Sequence, residues 1–170
     1  YIRVFQPAFR CGGLKISMLT SSKARMKLIL ALLFPVLAFA DPASSLAGKT
    51  ATLRDEKGKA STTSSASGTK TTFRDAQGRM TGTATQSSTG KTTFCDAQGR
   101  MTGTSSTSGS KTTCRDAQGR LTGTSSSSSS GVTTYRDSSG QITGTSTIRG
   151  NTITFRDASG RLTGTATVKK

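Results

Sequence analysis

Thr71-Thr72-Phe73-Arg74-Asp75-Ala76-Gln77-Gly78-Arg79-Met80-Thr81-Gly82-Thr83-Ala84-Thr85 carries a turn signal between two Thr-rich flanks. Asp75 can accept hydrogen bonds from nearby backbone N–H groups, and Gly78, three residues on, can take positive φ. Together they suit a type I turn that closes a hairpin with a bulge at the glycine. The flanks are rich in Thr, carry Phe73 two residues before the Asp and Met80 five after it, and alternate over short distances, as half-buried β-strands do. The stretch therefore reads as one β-hairpin.

The same unit recurs along the chain. Asp55, Asp75, Asp96, Asp116, Asp137 and Asp157 are spaced 20, 21, 20, 21 and 20 residues apart, and Gly58, Gly78, Gly99, Gly119, Gly140 and Gly160 follow them at a fixed offset of three. A self-similar period of this length marks a repeat architecture. The first copy is the most divergent, with Ala60-Ser61-Thr62 in place of apolar-Thr-Gly, as expected of an end cap. One apolar column runs through Leu53, Phe73, Phe94, Cys114, Tyr135 and Phe155, a second through Met80, Met101, Leu121, Ile142 and Leu162. The expected fold is all-β: six tandem hairpins of about 20–21 residues in an antiparallel meander of about a dozen strands, both apolar columns buried. Closure could be a flower- or propeller-like ring, a β-solenoid, or an open sheet that needs a partner.

Upstream, Lys23, Arg25 and Lys27 precede an unbroken apolar run from Leu28 to Leu37, and Ala38-Phe39-Ala40 supplies a small-x-small exit. This pattern reads as a secretory signal peptide, a helical segment over 26–40, cleaved between Ala40 and Asp41. The apolar run is short for a membrane-spanning helix, so no transmembrane span is expected after processing. Met26-Lys27 looks like a natural start, with Met18 as another, and residues 1–25 read as an upstream extension outside the protein proper. A short linker (41–49) then leads to the repeat domain (50–170). The expected location is periplasmic or extracellular.

The whole chain has 170 residues, formal charge +16, three Cys, no His and no Trp. Residues 41–170 carry 18 Lys/Arg against 8 Asp/Glu, a formal charge of +10, and 52 of the 130 are Ser or Thr while 15 are large and apolar. So few apolar side chains cannot fill a conventional two-layer core, and stability has to come from backbone ladders and the stacking of neighbouring copies. Without His there is no imidazole base or ligand, and the one carboxylate that recurs in each copy is already explained by its turn. Calcium would need several oxygen ligands per site, in motifs such as Asp-x-Asp-x-Asp-Gly, which do not occur here. The reading is of a non-enzymatic protein with no cofactor, no metal and no catalytic residue.

Phe73-Arg74-Asp75-Ala76-Gln77-Gly78-Arg79-Met80-Thr81 and Phe155-Arg156-Asp157-Ala158-Ser159-Gly160-Arg161-Leu162-Thr163 resemble the YD repeat of RHS-type bacterial surface proteins, whose core is Tyr-Asp-x-x-Gly-Arg-Leu-Thr. The match covers residues about 50–168. It departs where the family has Tyr directly before Asp, since Arg54, Arg74, Cys95, Arg115, Arg136 and Arg156 stand there. The chain is also similar to short secreted bacterial β-flower proteins built from Asp-x-x-Gly-Arg/Lys hairpins behind a signal peptide. Length and export favour this second resemblance, which implies a bacterial envelope protein but brings no catalytic residue.

Three columns remain as candidate surfaces. Arg74, Arg115, Arg136 and Arg156 before the turn, and Arg79, Arg100, Arg120 and Arg161 after it, would repeat positive charge along stacked copies and could hold an anionic envelope polymer such as lipopolysaccharide, an acidic glycan or DNA. The bland reading is a solvated edge in which Arg offsets the neighbouring Asp. Sparse aromatics argue against base stacking and against specific nucleic-acid recognition. Thr81/Thr83/Thr85, Thr102/Thr104, Thr122/Thr124, Thr143/Thr145/Thr147 and Thr163/Thr165/Thr167 are Thr-x-Thr arrays that ordinary β-propensity explains and that also resemble ice-binding faces. Cys95 and Cys114 fall in adjacent columns and are expected on opposite faces, which opposes their pairing. The functional expectation is an exported structural or interaction module whose partner is an anionic polymer or another protein.

Overall fold

The computed structural model describes residues 48–169. The signal-peptide reading (26–40), its cleavage at Ala40 and Asp41, the 1–25 extension and most of the 41–49 linker lie outside the described residues. Twelve strands follow one another: β1 (Thr50–Asp55), β2 (Ala60–Ser67), β3 (Lys70–Asp75), β4 (Met80–Gln86), β5 (Lys91–Asp96), β6 (Met101–Ser108), β7 (Lys111–Asp116), β8 (Leu121–Ser127), β9 (Val132–Asp137), β10 (Ile142–Arg149), β11 (Thr152–Asp157) and β12 (Leu162–Lys169). Each pairs antiparallel with its sequence neighbour, and β1 pairs with β12 from Thr50↔Lys169 to Asp55↔Gly164, so the sheet is a closed barrel. Closure is neither a solenoid nor a bladed ring: one continuous wall has no free edge, and every internal backbone ladder is shared by two neighbours.

The interior is filled by alternating large and absent side chains. Phe73 faces Gly82, Phe94 faces Gly103, Cys114 faces Gly123, Tyr135 faces Gly144 and Phe155 faces Gly164 across their strand pairs. Twelve strands about 4.8 Å apart give a wall of about 9 Å radius before tilt, room that inward rings can span when the neighbouring position is Gly. Leu53, Cys114, Tyr135 and Phe155 are each 1% exposed, and the Tyr135 hydroxyl lies 2.9 Å from Ser146 Oγ. Beneath this layer sits a ring of small and hydroxyl-bearing residues, including Ala51, Ser64, Thr71, Ala84, Thr92 and Ser105, all buried. The richest apolar cluster, Ala51, Leu53, Tyr135, Ile153, Phe155 and Ala166 with Ile148 and Val168 against it, gathers on and near the strands that meet at the seam.

The second apolar column is not in the core. Met80, Met101, Leu121, Ile142 and Leu162 are 41–49% exposed. The register explains it: pairing passes from Phe73↔Gly82 to Arg74↔Met80, which leaves Thr81 as an extra residue in a bulge. A bulge reverses the alternation on one side of itself, so Met80 turns outward beside Arg74 while Gly82 stays inside. The same shift occurs after Phe94, Cys114, Tyr135 and Phe155. Outside, each hairpin carries one cross-strand threonine pair, Thr52↔Thr63, Thr72↔Thr83, Thr93↔Thr104, Thr113↔Thr124, Thr134↔Thr145 and Thr154↔Thr165, and at the junctions between hairpins the second Thr of each pair faces Arg74, Cys95, Arg115, Arg136, Arg156 or Arg54.

Candidate functional site

A closed meander has two rims, and the chemistry divides between them. At one rim stand the Asp-x-x-Gly turns. In each, one Asp Oδ1 accepts from the backbone N–H groups two and four residues on: Gln77 and Arg79 for Asp75 (3.0 and 2.9 Å), Gln98 and Arg100 for Asp96, Gln118 and Arg120 for Asp116, Ser139 and Gln141 for Asp137, Ser159 and Arg161 for Asp157, and Lys57 and Lys59 for Asp55. Gly78 N–H donates to the Asp75 carbonyl at 3.0 Å with φ +78°, the left-handed conformation that glycine takes at no steric cost. Gly99, Gly119, Gly140 and Gly160 donate in the same way to Asp96, Asp116, Asp137 and Asp157. The turn assignments read from the sequence are thus where the hairpins close.

Asp75, Asp137 and Asp157 are tuned toward the charged form. The Ser139 hydroxyl, 2.6 Å away, is the main influence holding Asp137 below the ordinary carboxylate range, with backbone N–H groups adding to it against some desolvation. Ser159 does the same for Asp157 at 2.7 Å. For Asp75 desolvation is the largest single influence and pushes upward, but it is outweighed by the Arg79 N–H, the Arg79 guanidinium and the Gln77 N–H, so its pKa is also lowered. These are turn-locking acceptors, in each of which Oδ1 is directed into its own backbone.

The Arg columns share this rim. Arg74, Arg115, Arg136 and Arg156 each donate from Nη1 to the carbonyl of the turn glycine, Gly78, Gly119, Gly140 and Gly160, at 2.8–2.9 Å, and Arg54 does so to Gly58 at 3.0 Å. Arg79 Nε bonds Asp75 Oδ2 at 3.0 Å, and Arg100 lies 4.0 Å from Asp96. Arg120 and Arg161 are exposed at the equivalent positions. The structure therefore brings all eight predicted Arg residues to one rim, among every carboxylate of the described residues: six turn Asp and Glu56.

Cys95 is half-buried on the outer face and Cys114 is buried in the interior, and neither is in a disulfide. Of the Thr arrays, Thr83 and Thr85 face outward on the curved wall while Thr81 is the bulge residue. No group of three metal-ligating side chains occurs among the described residues.

The opposite rim was not read from the sequence. Lys70, Lys91, Lys111, Arg149 and Lys169 are exposed there, with Lys49 half-buried beside them, and none of the seven carboxylates of residues 48–169 lies at this end. The signal was available: Lys70, Lys91 and Lys111 each stand five residues before a turn Asp in successive copies. A cavity of about 510 Å³ opens at this rim, lined by Ser110, Ser127, Ser128, Ser129, Thr133 and Ile148. Lys111 and Arg149, next in sequence to the lining residues Ser110 and Ile148, are exposed at the same rim. Its hydroxyls are pre-oriented by pairing, Ser127 with Thr133 and Ser128 with Ser130, both at 2.7 Å.

No family model and no curated protein matches this chain.

Proposed function

We propose that this is an exported, non-enzymatic interaction module of the cell envelope or extracellular space, built from six tandem hairpins behind a cleaved signal peptide. The observation that carries the reading is the use made of the carboxylates: each turn Asp accepts two backbone N–H bonds at its own hairpin. Acid–base chemistry needs a titratable group within reach of a substrate, whereas these groups hold the scaffold together. What the barrel offers a partner is surface: outward threonine pairs, a mixed Asp/Arg rim and a cationic rim. The basic n-region, the apolar run and Ala38-Phe39-Ala40 support export.

The test is expression of the full chain in a bacterial host, fractionation, and N-terminal sequencing of the product. A protein beginning at Asp41 in the periplasm or medium is expected. An unprocessed chain retained in the cytoplasm would end the reading.

A further inference from the structure

We infer that the acid-free rim, formed by Lys70, Lys91, Lys111, Arg149 and Lys169 together with the hydroxyl-lined cavity beside Lys111, is a docking surface for an anionic polysaccharide bearing carboxylate or phosphate groups. The inference deepens the proposed module, and rests on export only for where such a polymer would be met.

Charge separation is the first argument. The described residues put eleven cations and seven carboxylates at the turn rim but six cations and no carboxylate at the opposite one. From Lys70 to Asp75 the strand covers about 17 Å, which exceeds a Debye length of about 8 Å at physiological ionic strength. The turn carboxylates therefore do not neutralise the Lys rim, and an approaching polyanion meets the positive field of five exposed bases there. At the turn rim the same polymer would meet Arg side chains already donating to glycine carbonyls beside seven carboxylates.

Geometry is the second. Lys70, Lys91 and Lys111 start alternate strands, so their bases recur at about 10 Å intervals along the rim. A flexible chain carrying charge at regular intervals can engage several at once, and at the Lys111 end of the row the cavity supplies Ser110, Ser127, Ser128, Ser129 and Thr133 as donors and acceptors for sugar hydroxyls. Single-stranded nucleic acid is disfavoured, because the aromatic rings Phe73, Phe94, Tyr135 and Phe155 are all buried in the barrel and offer bases nothing to stack on.

The test uses residues 41–170, which contain the whole closed wall. Binding of polygalacturonate, phosphorylated lipopolysaccharide core oligosaccharide, neutral dextran and a duplex DNA is measured at low and high salt. The two glycan arms separate carboxylate from phosphate as the source of charge. Binding to at least one anionic glycan, weakened by salt and absent for dextran, is expected. The triple variant K70Q/K91Q/K111Q should weaken it about 100-fold at low salt, taking on the order of 1 kcal/mol per base near a charged surface. R79Q/R100Q/R120Q, equal in charge lost but on the other rim, should leave it nearly unchanged, with circular dichroism confirming that both variants keep the fold. Equal losses from both variants, tighter binding of DNA than of either glycan, or no binding of any polyanion at low salt would each overturn the inference. If binding holds while export fails, the ligand class stands and its envelope source falls.

Discussion

At the scale of single residues the turn Asp couples the fold to pH. Asp75, Asp137 and Asp157 have lowered pKa values in the folded protein, so folding favours their ionised form. The stability they contribute is fully present above the ordinary carboxylate value of 3.8 and is lost as pH falls through their lowered values. Thermal unfolding of residues 41–170 should accordingly give a melting temperature that is level from neutrality to about pH 5 and drops below about pH 4. Replacing Ser139 and Ser159 by Ala removes the main influence lowering Asp137 and Asp157, so it should lower the melting temperature at neutrality and make the acid drop shallower; an unchanged difference between the neutral and acid melting temperatures would show that the hydroxyls do not set it. The two thiols give a second residue-scale prediction. In the native state a thiol reagent should modify Cys95 promptly and Cys114, 1% exposed, only on unfolding, with no disulfide found by mass spectrometry.

At the scale of the element the hairpin is specified by a few positions whose reasons differ. Gly82 has an ordinary strand conformation, yet a Cβ there would lie 2.5 Å from the Cys95 carbonyl oxygen, and at Gly144 it would meet the Arg156 carbonyl oxygen. These glycines let the next hairpin's backbone come close, so Gly82→Ala should lower the urea midpoint by the equivalent of about 1–3 kcal/mol, as overpacking does. Gly78→Ala imposes only the left-handed penalty of about 1–2 kcal/mol at an open site; equal effects at the two positions would argue against the close approach. The hairpin itself was legible, because Asp-x-x-Gly states its turn chemistry outright. So was the alternation of 20- and 21-residue periods, which follows the second connections: Gly68-Thr69, Gly109-Ser110 and Gly150-Asn151 are two-residue links, whereas Ser87 and Ser128 open longer turns. In those Gly90 and Gly131 donate to the Ser87 and Ser128 carbonyls, repeating the Asp-x-x-Gly pattern with Ser in place of Asp. The outward turn of Met80 was not legible, since alternation counted back from Gly82 puts it inside, and only the pairing partner reveals the bulge at Thr81. The cationic rim escaped for a related reason: Lys70 and Arg74 look alike in a list of charges until strand direction puts them at opposite ends.

At the scale of the whole molecule everything depends on one seam. Eleven of the twelve strand pairings join sequence neighbours and close short loops, but β1 with β12 spans the entire domain, from Thr50↔Lys169 to Asp55↔Gly164. Its loop-closure entropy is the largest in the fold. The side chains near it answer that cost. Ile153 stands where Thr71, Thr92, Thr112 and Thr133 stand in other copies, and Ala51, Leu53, Ile153, Phe155 and Ala166 form the densest apolar cluster with Tyr135. Closure was open in the sequence because Thr-to-Ile is a small change in one copy, and its meaning appears only once β1 lies beside β12. Ile153→Thr should therefore cost about 1–3 kcal/mol through a hydroxyl placed in an apolar site, and should cost more than the reverse exchange, Thr113→Ile, on the outer wall. Deleting Leu162–Lys170 would leave β1 and β11 as bare edges, and sheet edges recruit other chains. Size-exclusion chromatography of that variant should show oligomers or aggregate where residues 41–170 run as a compact monomer. A truncated chain that stayed monomeric and as protease-resistant as the parent would mean that the seam does not hold the barrel closed.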